Sequence, residues 1–213
     1  MGYNTEISDA EQLQYIFNDY KNGIEHGVLV ANLTYQLAKR MGLNEEDCYE
    51  LKIAGMMHDI GKLKLSEYLY GRNSVELSVE EMKYMRMHSK ISFDVLKNYE
   101  YSDNIMKVVL WHHECYDGSG YPDNLKGTGI PLGARILKVA DEFAALISDR
   151  PYRKAFDVDT AVNILIEEIK NLDMKVFIEF QRMIHEEETF EIIRNSKIDL
   201  DSLTLEDILS FAD

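Results

Sequence analysis

The sequence predicts an all-α protein, and three observations carry that expectation. Apolar residues recur at helical spacing along nearly the whole chain, as in Leu29, Leu33 and Leu37 or in Met82 and Met85. Strand-like alternation of apolar and polar residues is absent. Only three prolines and twelve glycines interrupt 213 residues, which leaves little material for linkers and favours one helical core with a tail.

The elements follow in order. Residues 1–20 read as a helical extension, 21–187 as the body of the fold, and 188–213 as a tail packing as a short helix. The extension is too short for a sensory domain, so regulation is expected to come from elsewhere, unless the chain is part of a longer protein. Asn44 before Glu45-Glu46-Asp47 carries the signature of a helix start. That helix continues through Leu51 and Ala54, and Gly61 beyond Ile60 marks its stop, which places His58-Asp59 in the last turn. Ser78 with Glu81 forms a capping box for a helix carrying Met82, Met85, His88 and Val95, with His88 at its middle.

A further helix from about Ser102 brings Ile105, Val108 and Val109 to one side and ends near His112-His113. The segment from Asp117 to Asn124 is dense in turn formers and cannot continue a helix past Pro122; this loop ends near Pro131. Residues 132–148 are helical again and set Asp141 among Ile136, Leu137, Val139, Ala140 and Phe143. Two amphipathic helices are predicted over 157–171 and 173–187. In the tail, acidic residues accompany Ile198, Leu203, Ile208 and Leu209, a pattern suited to packing or to a dimer contact.

A formal net charge of -15 repels nucleic-acid backbones and anionic lipid, so DNA, RNA and membrane are not expected as partners. A phosphate ligand must be attracted by local cations. No apolar run approaches the roughly 18 residues of a membrane span, and the amino terminus lacks the pattern of an export signal. The two cysteines, Cys48 and Cys115, have no CxxC spacing and fit free thiols in a reducing cytosol. A cytoplasmic location is the expectation.

Five of the six histidines lie on or end predicted helices, and three of them abut another His or an Asp. Any one alone reads as a packed core residue. Burying five imidazoles and two carboxylates together, without partners, would cost several kcal/mol per group. Divalent cations satisfy them all, and helix bundles hold metals with inward His and carboxylate ligands. His26, His58, Asp59, His88, His112, His113 and Asp141 exceed the three or four ligands of one ion, so they indicate two ions sharing a carboxylate, with Asp59 the natural bridge. A nitrogen-and-oxygen set without thiolate disfavours structural zinc; iron or manganese is favoured, with zinc, nickel or magnesium also compatible.

Several segments together resemble the HD-GYP branch of the HD-domain phosphohydrolases. They are His58-Asp59-Ile60-Gly61-Lys62, His112-His113-Glu114, Asp117-Gly118-Ser119-Gly120-Tyr121-Pro122, Val139-Ala140-Asp141 and Ser148-Asp149-Arg150-Pro151-Tyr152-Arg153. The resemblance runs from roughly residue 20 to residue 180. It implies an HD-domain helical bundle with additional C-terminal helices. It also implies that His26, His58, Asp59 and Asp141 hold one metal and Asp59, His88, His112 and His113 the other. Asn22 stands where some members carry a Glu that recruits a third metal, so a third is not expected.

The chemistry implied is in-line hydrolysis of a phosphodiester by a hydroxide shared between ions about 3.5 to 4 Å apart, with Asp59 and Lys62 as catalytic residues. By the same resemblance Tyr121 contacts substrate, Gly118 and Gly120 allow close backbone approach, and Arg150 and Arg153 meet phosphates. The implied substrate is a cyclic dinucleotide: cyclic di-GMP, opened to linear pGpG and on to GMP, or alternatively 3',3'-cyclic GMP-AMP. Two other readings compete. One is a signalling module that binds without turnover. The other is a generic HD nucleotide phosphohydrolase, which needs only His26, His58, Asp59 and Asp141 and leaves the His112-His113 pair unexplained. A homodimer or a signalling-protein partner is compatible with either. Cys115 and Ala144 depart from the family pattern, yet neither removes a ligand.

Overall fold

The computed structural model describes residues 9–69, 79–150 and 153–197. Ser78 of the capping box, Pro151, Tyr152, Ile198, Leu203, Ile208 and Leu209 lie outside the described residues, as do residues 1–8 of the extension. Among the described residues every regular element is helical, and an isolated bridge between Arg150 and Arg153 is the one strand-type pairing. The helices are α1 (Asp9–Arg40), α2 (Glu45–Met57), α3 (Gly61–Leu69), α4 (Val79–Met85), α5 (His88–Leu96), α6 (Asp103–Trp111), α7 (Leu132–Leu146), α8 (Val158–Glu167), α9 (Met174–Ile184) and α10 (Glu187–Asn195).

The starts obey local capping chemistry. Asn44 accepts from the Asp47 amide at 2.9 Å, Ser102 from Ile105 at 3.2 Å, Asp157 from Thr160 at 2.8 Å and Asp173 from Lys175 at 2.9 Å. The first two are the starts that the sequence indicates. The region predicted as helix over 157–171 is α8 followed by a 3-10 turn at Ile169–Asn171, and α9 ends at Ile184 before α10 begins at Glu187.

α1 packs on α2 and α7, α2 on α6 and α7, and α5 on α3 and α6. The i, i+4 row Leu29, Leu33 and Leu37 is buried against Leu51, Val108, Ile136, Leu137 and Phe143, and Phe180 of α9 closes the cluster. Each such side chain contributes roughly 1.5 to 3 kcal/mol by leaving water. At the α1–α2 crossing a Cβ on Gly55 would meet Ala31 Cα at 2.8 Å, so only glycine lets these two helices approach this closely. That approach brings His26 of α1 to His58, their ring centroids 5.4 Å apart.

Two expectations are corrected. Gly61 does not stop α2. The helix ends at Met57, His58 takes the capping position, and Gly61 opens α3. A Cβ on Gly61 would lie 2.3 Å from the His88 carbonyl oxygen and 2.7 Å from the Ser92 amide nitrogen, so the glycine is required by contact with α5, not by a left-handed turn. The predicted helix through His88 is also broken. The Met87 amide turns back to the Tyr84 carbonyl at 2.9 Å, in 3-10 fashion, and α5 restarts with His88 as its first residue.

Replacing Gly61 by alanine is expected to lower the unfolding free energy by about 1 to 3 kcal/mol, because the methyl overpacks a backbone contact. Gly23, exposed on α1 with nothing within 4 Å of where a methyl group would sit, is the control. Gly23→Ala should be neutral or stabilising by up to about 1 kcal/mol. Urea unfolding monitored by circular dichroism reads both.

Candidate metal centre

Three imidazoles are oriented by one local device. The Nδ1 of His58 bonds the Gly55 carbonyl at 2.7 Å, that of His88 the Met85 carbonyl at 2.6 Å, and that of His112 the Val109 carbonyl at 2.6 Å. A carbonyl only accepts, so each Nδ1 carries a hydrogen and each Nε2 is turned inward as the free end of the ring. Each acceptor lies three residues earlier, at a helix terminus where a carbonyl is left over. For His88 and His112 burial lowers the pKa, keeping the rings neutral with a lone pair on Nε2.

These lone pairs face one another. His88 Nε2 is 3.4 Å from His112 Nε2 and 3.0 Å from His113 Nε2. Burial also holds the His113 pKa down, to about 3. The His88 and His112 lone pairs, converging in a buried place, repel unless a cation lies between them, and His113 Nε2 stands beside the same point. A second cluster adjoins. His26 Nε2 is 3.0 Å from Asp141 Oδ1, and His58 Nε2 is 3.3 Å from Asp59 Oδ2 and 3.5 Å from Asp141 Oδ1. The last two are within ion-pair reach but are not aligned as hydrogen bonds, so His58 Nε2 is a buried nitrogen without a hydrogen-bond partner, as Asp59 Oδ1 is a buried oxygen without one.

All seven predicted ligands therefore converge. Their donor atoms form three overlapping groups, each within 4.8 Å: His26, His58 and Asp59; His58, His112 and Asp141; His88, His112 and His113. Asp59 stands between the clusters, with Oδ2 toward His58 and Oδ1 3.3 Å from His88 Nε2. That is the placement a bridging carboxylate needs. Lys62 Nζ lies 2.5 Å from Asp59 Oδ2, with its side chain 42% exposed.

The fold holds this arrangement from outside. Ser92 Oγ accepts from the Gly61 amide and donates to the His58 carbonyl, both at 2.8 Å, which pins the His58-Asp59 turn to the helix carrying His88. Glu114, buried directly after the His pair, accepts from the Asp123 amide at 2.6 Å and the Leu125 amide at 2.9 Å and so seats the glycine-rich loop. Neither Ser92 nor Glu114 was singled out from sequence. An acidic residue next to paired histidines and just before a loop rich in free amides was the available signal for Glu114; Ser92 offered none.

The predicted substrate residues are placed unequally. Tyr121 stacks on the His113 ring with centroids 4.8 Å apart and planes at 27°, and its bond to Pro122 is cis. Gly118 has φ +89°, which favours glycine. Gly120 makes its close approach to the chain itself: a Cβ there would meet Cys115 N at 2.2 Å and Glu114 Cα at 2.5 Å. Arg153 donates to the carbonyls of Ala145, Leu146 and Lys154 at 2.9, 3.0 and 2.7 Å and lies over Phe156. Its guanidinium caps the end of α7. Arg150 is half-buried and contributes backbone bonds to the Arg153 bridge.

Without a cation the site is electrostatically lopsided. Burial works against a charged His58, yet Asp59 and Asp141 outweigh it and push its pKa up to about 10. Its proton occupies the place of a ligand bond. Metal binding must expel that proton, so loading metal-free protein with Mn²⁺ near pH 7 should acidify a weakly buffered solution. Apparent affinity should fall about tenfold for each pH unit lowered, the sign expected when the bound state carries fewer protons. Calorimetry in buffers of different ionisation enthalpy measures the release, and His58→Ala should abolish most of it.

Comparison with known proteins agrees with this geometry. The profile of the HD domain family matches residues 11–176. The chain is 36% identical over 151 residues to the cyclic di-GMP phosphodiesterase response regulator RpfG of Xanthomonas campestris, covering 69% of this chain and 40% of that protein. It is 37% identical over 155 residues to the 3'3'-cGAMP-specific phosphodiesterase 1 of Vibrio cholerae, covering 72% and 36% respectively. It thus spans roughly two-fifths of the length of these relatives. Among solved structures, Bd1817, an HDG"Y"P protein of Bdellovibrio bacteriovorus, superposes with a TM-score of 0.63 at 15% identity, covering 84% of this chain and 55% of that one. The PgpH phosphodiesterase HD domain of L. monocytogenes in complex with cyclic-di-AMP gives 0.53 at 19%, covering 87% and 92%. At such identities these two establish the fold.

Proposed function

The chain belongs to the HD domain family, and on that premise we propose that it is a metal-dependent phosphodiesterase of the HD-GYP type that hydrolyses a cyclic dinucleotide. The observation that carries the reading is the approach of the His112 and His113 Nε2 atoms to within 3.4 Å of His88 Nε2, beside an Asp59 whose other oxygen faces His58. This donor set exceeds one ion. Two divalent ions are proposed, His26, His58, Asp59 and Asp141 holding one and Asp59, His88, His112 and His113 the other. Iron or manganese suits the nitrogen-and-oxygen donors.

Bound there, the ions supply Lewis acidity toward a phosphoryl oxygen and lower the pKa of an attacking water. The chain supplies the rest. Burial opposes ionisation of Asp59, but His58 and Lys62 hold its carboxyl well below the usual range, so it enters the reaction as a ligand and a fixed charge, not as an acid. Lys62, partly in solvent and tied to Asp59, is placed to steady a phosphate oxygen drawn to the same edge. Tyr121 and the loop seated by Glu114 wall the site beside His113. Action in the cytoplasm accords with Cys48 and Cys115 being free thiols.

Cyclic di-GMP, opened to pGpG and on to GMP, is the first substrate reading. 3',3'-Cyclic GMP-AMP is the second, because relatives named for each are similar to this chain to the same degree. A mononucleotide phosphohydrolase is disfavoured, since His88 and the His112-His113 pair belong to the same cluster as the other ligands.

Elemental analysis of purified protein should give two ions per chain. That protein should linearise cyclic di-GMP, cyclic GMP-AMP or both, as followed by chromatography, and Asp59→Ala should fall to background. Two ions per chain with both cyclic dinucleotides left intact would sink the reading.

A further inference from the structure

A cyclic dinucleotide carries two phosphodiesters, and the centre with Lys62 engages the one being cleaved. The other needs a cation at the mouth of the site, because a net charge of -15 offers no general attraction. Arg153 is poorly placed to provide it, since its two terminal nitrogens are turned to the Ala145 and Leu146 carbonyls at the end of α7 and to the Lys154 carbonyl. Arg40, Arg135, Arg182 and Arg194 are each paired with a carboxylate.

Arg86 differs from these. It is exposed, in the two-residue break between α4 and α5, two positions before His88. Among the described residues its guanidinium meets no carboxylate or carbonyl. It lies over the Tyr121 ring, 5.4 Å from the centroid, and that ring stacks on His113. The cation is thereby held one aromatic ring away from a metal ligand, with its planar edge of N–H donors unspent. Arg150 also lacks such a partner among the described residues, but no contact ties it to the loop or to the ligands.

We propose that Arg86 is a substrate-binding residue that grips the phosphate not being cleaved, with Tyr121 serving as the shelf that aims it. The break in the predicted helix then has a use, since it turns Arg86 toward the loop while His88 turns inward. This rests on the two-phosphate substrate proposed above.

The test compares cyclic di-GMP with bis(p-nitrophenyl) phosphate, a diester with a single phosphate, on metal-loaded protein. For Arg86→Ala the kcat/KM for cyclic di-GMP, relative to that for the small diester, should fall about tenfold through KM. Arg86→Lys should recover part of the loss. Equal falls on both substrates would mean that Arg86 acts only through Tyr121 and His113, and no fall on either would mean that it does nothing; each overturns the proposal. If the parent cleaves the small diester but neither cyclic dinucleotide, the substrate reading itself fails and this inference with it. Arg86→Ala matching an active parent on cyclic di-GMP defeats the inference alone.

Discussion

The arrangement depends on one interaction repeated three times: an imidazole Nδ1–H given to the carbonyl three residues earlier. It spends a carbonyl that a helix end leaves over, fixes the tautomer, and commits the other nitrogen to the interior. Because the bond is local, each ring is set by its own turn. The tertiary fold has only to bring three turns together. It does so with glycines at the closest crossings, Gly55 against Ala31 and Gly61 against α5, where a single methyl would force the turns apart.

This division of labour explains what was legible in the sequence. The convergence of seven side chains could be read because histidines and aspartates on apolar helical periods are costly to bury unless something binds them. The helix starts at Asn44 and Ser102 were legible for a similar reason: a cap is satisfied within three residues. Errors arose where the deciding partner is distant. Gly61 looks like a helix stop until Ser92, 31 residues away, is known to lie against it. The break before His88 is set where the chain must turn one side chain in and its neighbour out, and the hydrophobic period alone runs through it.

Arg153 teaches the converse. A motif assigns it to substrate, and its position in the chain gives no sign that its donors serve the end of α7. Arginine is suited to both tasks by the same fork of N–H groups, so only the three-dimensional inventory of acceptors separates them. Lys62 shows the opposite outcome, since its single charge meets the Asp59 carboxylate and still reaches solvent.

Glu114 has a consequence for how such a protein can change over generations. Its carboxylate anchors the far end of the glycine-rich loop from the residue immediately after the histidine pair, and Gly120 folds back onto that same turn. The footing of the loop and two donors of the centre are therefore one short stretch of backbone, which cannot drift without damage to both. Exposed positions such as Ser119 carry no such burden. Variation can accumulate at the tip and along the rim while the histidine and aspartate cluster beneath stays untouched, so new ligand preferences are open to this scaffold without any intermediate that has lost that cluster.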